Sequence, residues 1–250
     1  MNIYSLICKR RHNRYKQLAV LLDPQKAHED MLFEFASNAR RCKADYVFVG
    51  GSLVTQGLME KTFRELRRQS QAPLIIFPGD PSQIDPFADG ILLLSLISGR
   101  NPELLIGNHV RAAMALKETE LEILPTGYML IESGKLNSVL YMSNTLPIPS
   151  DKPDIAVATA LAGQQLGLSL IYMDAGSGAR YPVPEEMISQ VRKNTSSPLI
   201  VGGGIRTAED AHRAWKAGAD IVVVGNALEA QPALMEEMAA ARDECNRIRV

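Results

Sequence analysis

The 250-residue sequence is short of the residues from which cystine frameworks, metal clusters and membrane spans are built. Its three cysteines, at 8, 42 and 245, are scattered and fit neither a disulfide framework nor a metal-ligand spacing, so a reducing cytoplasm is the simplest compartment. Four histidines, at 12, 28, 109 and 212, show no ligand spacing and read as surface or core residues. Net charge is only -1, which removes the basic footprint that a nucleic-acid-binding chain carries. The longest strongly apolar stretch, Ile91–Ile97, is far too short to span a bilayer. The basic N-terminal segment MNIYSLICKRRHNRYK lacks the apolar region of a signal peptide. A peripheral membrane contact stays compatible with this composition.

What is present is alternation. Short β-rich runs fall near Leu18–Asp23, Asp45–Gly50, Pro73–Pro78, Gly90–Leu96, Glu122–Ile131, Ser169–Asp174, Pro198–Gly202 and Asp220–Gly225. Several are continuously apolar, as parallel strands buried on both faces must be. Helical stretches are predicted near Ala27–Cys42, Thr55–Gln69, Pro102–Leu116, Ile155–Leu166, Glu185–Asn194, Ala208–Ala217 and Gln231–Ile248. Eight βα units over residues 1–250 imply one α/β domain, a TIM-type (β/α)8 barrel. The third helix is reduced or missing, because PGDPSQIDPFADG after Phe77 is too short and too rich in proline for one. The long polar connection Ser133–Pro153 has the length of a functional loop on a barrel rim.

Three junctions in the second half, LSLIYMDAGSGA (Leu168–Ala179), PLIVGGGIRT (Pro198–Thr207) and ADIVVVGNAL (Ala219–Leu228), break from apolar strand into glycine. Glycine lets backbone N–H groups approach a ligand, and convergent N–H groups before helices make an anion site, most simply for phosphate. Gly203, Gly204, Gly225 and Asn226 fall after strands seven and eight, the usual phosphate position of this fold. Asp174 ends strand six beside such a loop, where a carboxylate can accept a proton from a substrate hydroxyl; capping, or pairing with Arg180, is the alternative. Tyr172 either donates a hydrogen bond to that substrate or fills the barrel. Asp23 ends strand one and Ser52 follows strand two. Together they suit Mg²⁺, which needs few protein ligands when phosphates and water complete its shell; each alone also suits a helix cap. Arg206 has two readings, toward a phosphate or a neighbouring carboxylate, and Lys26 reads as a solvated lysine, with contact to a diphosphate as the alternative.

The segments LLDPQK, FVGGS, YMDAGSGA, VGGGIRT and VVGNALE, in this order and at barrel spacing, resemble the geranylgeranylglyceryl phosphate synthases and their PcrB-like prenyltransferase relatives over essentially the whole chain. The resemblance implies Mg²⁺-dependent transfer of a polyprenyl group from its diphosphate to the 3-hydroxyl of sn-glycerol 1-phosphate, giving an ether-lipid precursor. Carried over by position, Asp23 and Ser52 match the Mg²⁺ ligands. Tyr172, Met173, Asp174, Ala175, Gly176, Ser177, Gly178, Gly203, Gly204, Gly225 and Asn226 match the glycerol phosphate site. Asp174 stands where the family has a carboxylate near the accepting hydroxyl. Some members carry an acceptor-binding lysine where this chain has Leu21, which argues for the subgroup of archaeal-like bacterial enzymes. The family also favours a homodimer or higher oligomer. The prenyl tail needs an apolar groove, expected beside strands three and four where the helix is reduced. Rival readings are another phosphate-binding barrel isomerase or lyase, and a non-catalytic phosphometabolite binder.

Overall fold

The computed structural model describes residues 2–51, 53, 54 and 57–247. Its eight strands are β1 (Gln17–Leu22), β2 (Tyr46–Val49), β3 (Leu74–Ile76), β4 (Gly90–Leu96), β5 (Glu122–Leu130), β6 (Leu170–Asp174), β7 (Leu199–Gly202) and β8 (Ile221–Val224). They are parallel and close in sequence order, β8 pairing with β1. Around them lie α1 (Ile3–His12), α2 (Glu29–Arg41), α3 (Leu58–Gln69), α4 (Asn108–Lys117), α5 (Ser138–Ser143), α6 (Pro153–Gln165), α7 (Glu185–Asn194), α8 (Ala208–Ala217), α9 (Asn226–Ala230) and α10 (Leu234–Arg247). None of the helices is long and apolar enough to cross a membrane, among the described residues.

The continuous apolar strands are explained by two cores. Alternate residues turn inward, so Tyr46, Phe48, Ile75, Leu92, Leu124, Tyr172 and Ile200 fill the barrel. Their neighbours, among them Val20, Val47, Leu74, Met173, Val201 and Val222, pack outward under the helices. Between β3 and β4 the helix is indeed missing. Only a 3-10 turn, Pro81–Gln83, spans the gap, its start fixed by the Asp80 carboxylate accepting the Ser82 N–H at 2.8 Å. Pro78, Pro81 and Pro86 remove the donors that a longer helix would need.

Helix α1 was not anticipated. Asn2 caps it, accepting the Ser5 N–H at 2.8 Å, and the Glu122 carboxylate at the foot of β5 accepts the Ile3 and Tyr4 N–H groups, the latter at 2.8 Å. Ile3 and Ile7, one turn apart, enter the interior core and close the barrel at the N-terminal ends of its strands. Arg10 and Arg242 meet there on the buried Asp45 carboxylate at 2.8 and 3.2 Å. The opposite, C-terminal end is left for chemistry. Because Ile7 is sealed in this plug, Ile7→Ala should cost roughly 2–5 kcal/mol. A urea titration showing an unchanged midpoint would contradict the plug.

Candidate active site

At the C-terminal ends of the strands lies a cavity of about 1060 Å³. Its wall includes Asp23, Tyr172, Asp174, Gly176, Ser177, Gly178, Gly203, Gly204, Gly225 and Asn226, so most residues expected from the motifs are brought together. Met173 and Ala175 are not. Both are fully buried in the outer core beneath the helices, because β6 alternates and its run of motif residues cannot all face one side. Ser52 lies outside the described residues.

Asp174 is a buried carboxylate in the cavity wall. It is 5% exposed, and its two carboxylate oxygens accept the Tyr128 hydroxyl at 2.5 Å and the Gly176 N–H at 2.7 Å. Burial pushes its carboxyl above the usual carboxylate range, while the two hydrogen bonds pull it back. Its partners are therefore not Arg180. The hydroxyls of Tyr128 and Tyr172 are held well above their ordinary value by burial and by the Asp174 charge. Tyr172 fills the barrel, stacking on Phe77 at 5.5 Å, and also lines the cavity. Gly203 has φ +75°, and a Cβ there would press on the Asp174 carboxylate and the Gly176 nitrogen, the latter at 2.5 Å. The close packing of the β6 and β7 junctions requires glycine at that point.

Asp23 follows β1 on the rim. Its carboxylate accepts the Gln25 N–H at 3.1 Å, and the cap of α2 is His28, which accepts the Met31 N–H at 3.3 Å. The capping alternative for Asp23 thus falls away, and His28, an exposed surface residue as expected, supplies the cap instead. Gly51 sits against Asp23, a Cβ there lying 2.9 Å from its oxygen. Lys26 is not simply solvated. Its ammonium donates to Glu229 at 2.9 Å and Asn226 at 3.2 Å, with Asp23 3.7 Å away. Arg206 lines the cavity and donates to the Ala179 carbonyl at 2.5 Å.

The connection between β5 and α6 folds over the mouth. Asn137 caps α5 by accepting the Leu140 N–H at 2.9 Å, and its amide donates to the Ala175 carbonyl at 3.0 Å. Lys135, Leu136 and the α5 residues Val139 and Met142 complete the wall. Next to this cavity runs a second, largely apolar one of about 340 Å³, between the segment after β3, β4 and α4, where the third helix would have packed. Ile84, Ile91, Leu93, Leu104 and Ala112 line it, and Gly51, Phe77, Val139 and Met142 are shared by both spaces. Tyr128 faces the groove while bonding Asp174, so one side chain joins the two.

Among the described residues no cluster of three His, Cys, Asp or Glu side chains is able to hold a metal. One rim carboxylate, Asp23, suits only a hard cation whose remaining ligands are substrate oxygens and water.

The PcrB family model matches residues 10–242. This chain belongs to the PcrB family. It is 50% identical over 239 residues to a geranylgeranylglyceryl phosphate synthase of Chitinophaga pinensis, covering 96% of this chain and 95% of that protein. The Thermococcus kodakarensis enzyme of the same name is 42% identical over 235 residues, at 94% and 92% coverage. Among solved structures, (S)-3-O-geranylgeranylglyceryl phosphate synthase from Thermoplasma acidophilum, in complex with its substrate sn-glycerol-1-phosphate, superposes with a TM-score of 0.92. That protein is 30% identical, and the match covers 98% of this chain and 99% of the other.

Within this PcrB-family site, Tyr128 and Asn137 are residues that sequence reading missed. Tyr128 sits in β5 beside Tyr172, its register partner in β6, and an inward parity on both strands was the available signal. Tyr128→Phe removes a hydrogen bond that favours the ionised carboxylate. The Asp174 carboxyl should then titrate at higher pH, as followed by carbon NMR of the side-chain carboxyl; a lower or unchanged midpoint would contradict the assignment.

Proposed function

We propose that this chain, a prenyltransferase by family, transfers a polyprenyl group, geranylgeranyl in the first instance, from its diphosphate to the 3-hydroxyl of sn-glycerol 1-phosphate. The observation that carries the reading is the junction of two unlike spaces. A cavity walled by three glycine junctions and carrying Asp23, Lys26 and Arg206 adjoins a groove lined by Ile84, Ile91, Leu93 and Leu104, and the buried Asp174 carboxylate is tied to the groove through Tyr128. An isomerase or lyase of small phosphorylated metabolites has no use for the groove. A non-catalytic binder has no use for a carboxylate held at this depth.

The acceptor's phosphate lies on the backbone N–H groups of the Gly176–Gly178, Gly203–Gly204 and Gly225–Asn226 junctions, which leaves its glycerol end directed inward. Held there, the 3-hydroxyl is placed for attack on C1 of the prenyl chain. The bond between C1 and the diphosphate oxygen breaks and the C1–O3 ether bond forms. Asp174 takes the hydroxyl proton, and inorganic diphosphate departs. Tyr172 donates a hydrogen bond to the acceptor. Asp23, with Ser52 by family position, would hold Mg²⁺; bound there, the ion neutralises charge gathering on the departing diphosphate. The prenyl chain lies along the groove beneath α4.

Purified chain given sn-glycerol 1-phosphate, geranylgeranyl diphosphate and Mg²⁺ should form the ether product. Equal use of sn-glycerol 3-phosphate or of glycerol would contradict the acceptor assignment. Asp174→Asn should lower kcat by about 10²–10⁴-fold while acceptor binding persists. Because Asp174 accepts a proton only when ionised and its carboxyl is raised, turnover should fall as pH drops through a midpoint above the usual carboxylate range. Asp23→Asn should abolish turnover yet leave calorimetric binding of the acceptor intact; an active variant with unchanged Mg²⁺ dependence would remove Asp23 from the metal site.

A further inference from the structure

The charge balance of the mouth leaves one side chain with more to do than the reaction has so far required. Three carboxylates, Asp23, Asp174 and Glu229, face the cavity, and two anionic substrates must enter it. Backbone N–H groups supply dipoles but no net charge. The cations on the wall are Lys26, Lys135 and Arg206. Arg206 already spends part of its guanidinium on the Ala179 carbonyl, and Lys135 stands exposed on the rim. Lys26, though exposed as well, differs in having its ammonium held by two side chains. Glu229, itself only 12% exposed, grips its ammonium at 2.9 Å, and the Asn226 amide oxygen accepts from it at 3.2 Å. The Asn226 amide in turn donates to the Ser177 hydroxyl at 3.0 Å. A chain of polar contacts therefore runs from the loop after β1, across the β8 junction, to the loop after β6.

An ammonium has three N–H groups. Two are taken by Glu229 and Asn226, while Asp23 at 3.7 Å is beyond hydrogen-bond reach. We propose that Lys26 is a specificity-determining residue for the acceptor, its third N–H donating to the phosphate seated on the β7 and β8 junctions. Glu229 and Asn226 hold the long side chain in place, which reduces the rotamer entropy lost on binding. The pairing also removes the repulsion that Glu229 would otherwise exert on a phosphate. This inference rests on the proposed acceptor, but its tests separate the two.

The experiment measures binding of sn-glycerol 1-phosphate, and separately of inorganic phosphate, by calorimetry on the full chain without prenyl donor or Mg²⁺. Steady-state KM values for both substrates accompany it. Lys26→Met should weaken acceptor binding and raise the acceptor KM by roughly 10- to 100-fold, the loss expected for one charge-assisted hydrogen bond, with the donor KM unchanged. Lys26→Arg should recover most of the loss. The double variant Lys26→Met/Glu229→Gln distinguishes contact from mere neutralisation: it should stay weak, and recovery to wild-type affinity would overturn the proposal. Unchanged affinity in Lys26→Met, or a rise confined to the donor KM, would overturn it as well. Wild-type protein that binds inorganic phosphate in a Lys26-dependent way but ignores sn-glycerol 1-phosphate would keep the phosphate contact and remove the acceptor reading. Binding of neither probe would remove both. Thermal midpoints close to wild type for these loop variants would confirm that the affinities refer to folded protein.

Discussion

The site depends on keeping one charge at a nearly buried position in the cavity wall. A carboxylate buried as deeply as Asp174 must be hydrogen-bonded on both oxygens or lose its charge. Tyr128 satisfies one oxygen from β5, and the Gly176 N–H satisfies the other from the loop after β6. Those two bonds set much of the surrounding geometry. The Gly176 bond pins the first glycine junction, and Gly203 must be free of a side chain because the second junction lies against the same carboxylate. Tyr128, held by Asp174, stands between the glycine-walled cavity and the groove. A stack of rings, Phe48, Phe77 and Tyr172, spaced at 5.5–6.5 Å, backs it.

The groove has an equally local cause. Prolines in the third connection prevent a helix there, and the strands β3 and β4 remain apolar as if one were present. What would be a packing defect in a regular barrel becomes a cavity lined by Ile84, Ile91, Leu93 and Leu104. The N-terminal helix offsets part of the lost burial by sealing the other end with Ile3 and Ile7. One end of the barrel carries stability and the other carries chemistry.

The sequence made some of this readable and hid the rest, for definite reasons. Parallel strands buried on both faces leave continuous apolar runs, so β1 to β8 were found close to their observed bounds. Proline announced the absent helix. Glycine announced the cavity-lining loops, since Gly203 adopts φ +75° there. Reading motifs as unbroken blocks failed at Met173 and Ala175, where strand alternation turns the side chains into the outer core. Helix α1 escaped because two isoleucines in ten residues make a weak pattern, and its anchor is Glu122, more than a hundred residues away. Lys26 and Asn137 escaped for the same reason: their partners, Glu229 and Asn226 in one case and Ala175 in the other, are brought to them only by barrel closure. The capping alternative for Asp23 was open until His28 proved to be the cap of α2.

The central claim is spatial: acceptor phosphate on the glycine junctions, prenyl chain in the groove, Asp174 between them. A crystal structure with sn-glycerol 1-phosphate, Mg²⁺ and a non-cleavable thiodiphosphate analogue of the prenyl donor tests it most directly. The account predicts the phosphate against Gly203, Gly204, Gly225 and Asn226, the 3-hydroxyl within hydrogen-bond reach of the Asp174 carboxylate, and the hydrocarbon along β3, β4 and α4. A prenyl chain lying outside that groove, or an acceptor hydroxyl turned away from Asp174 toward solvent, would contradict it.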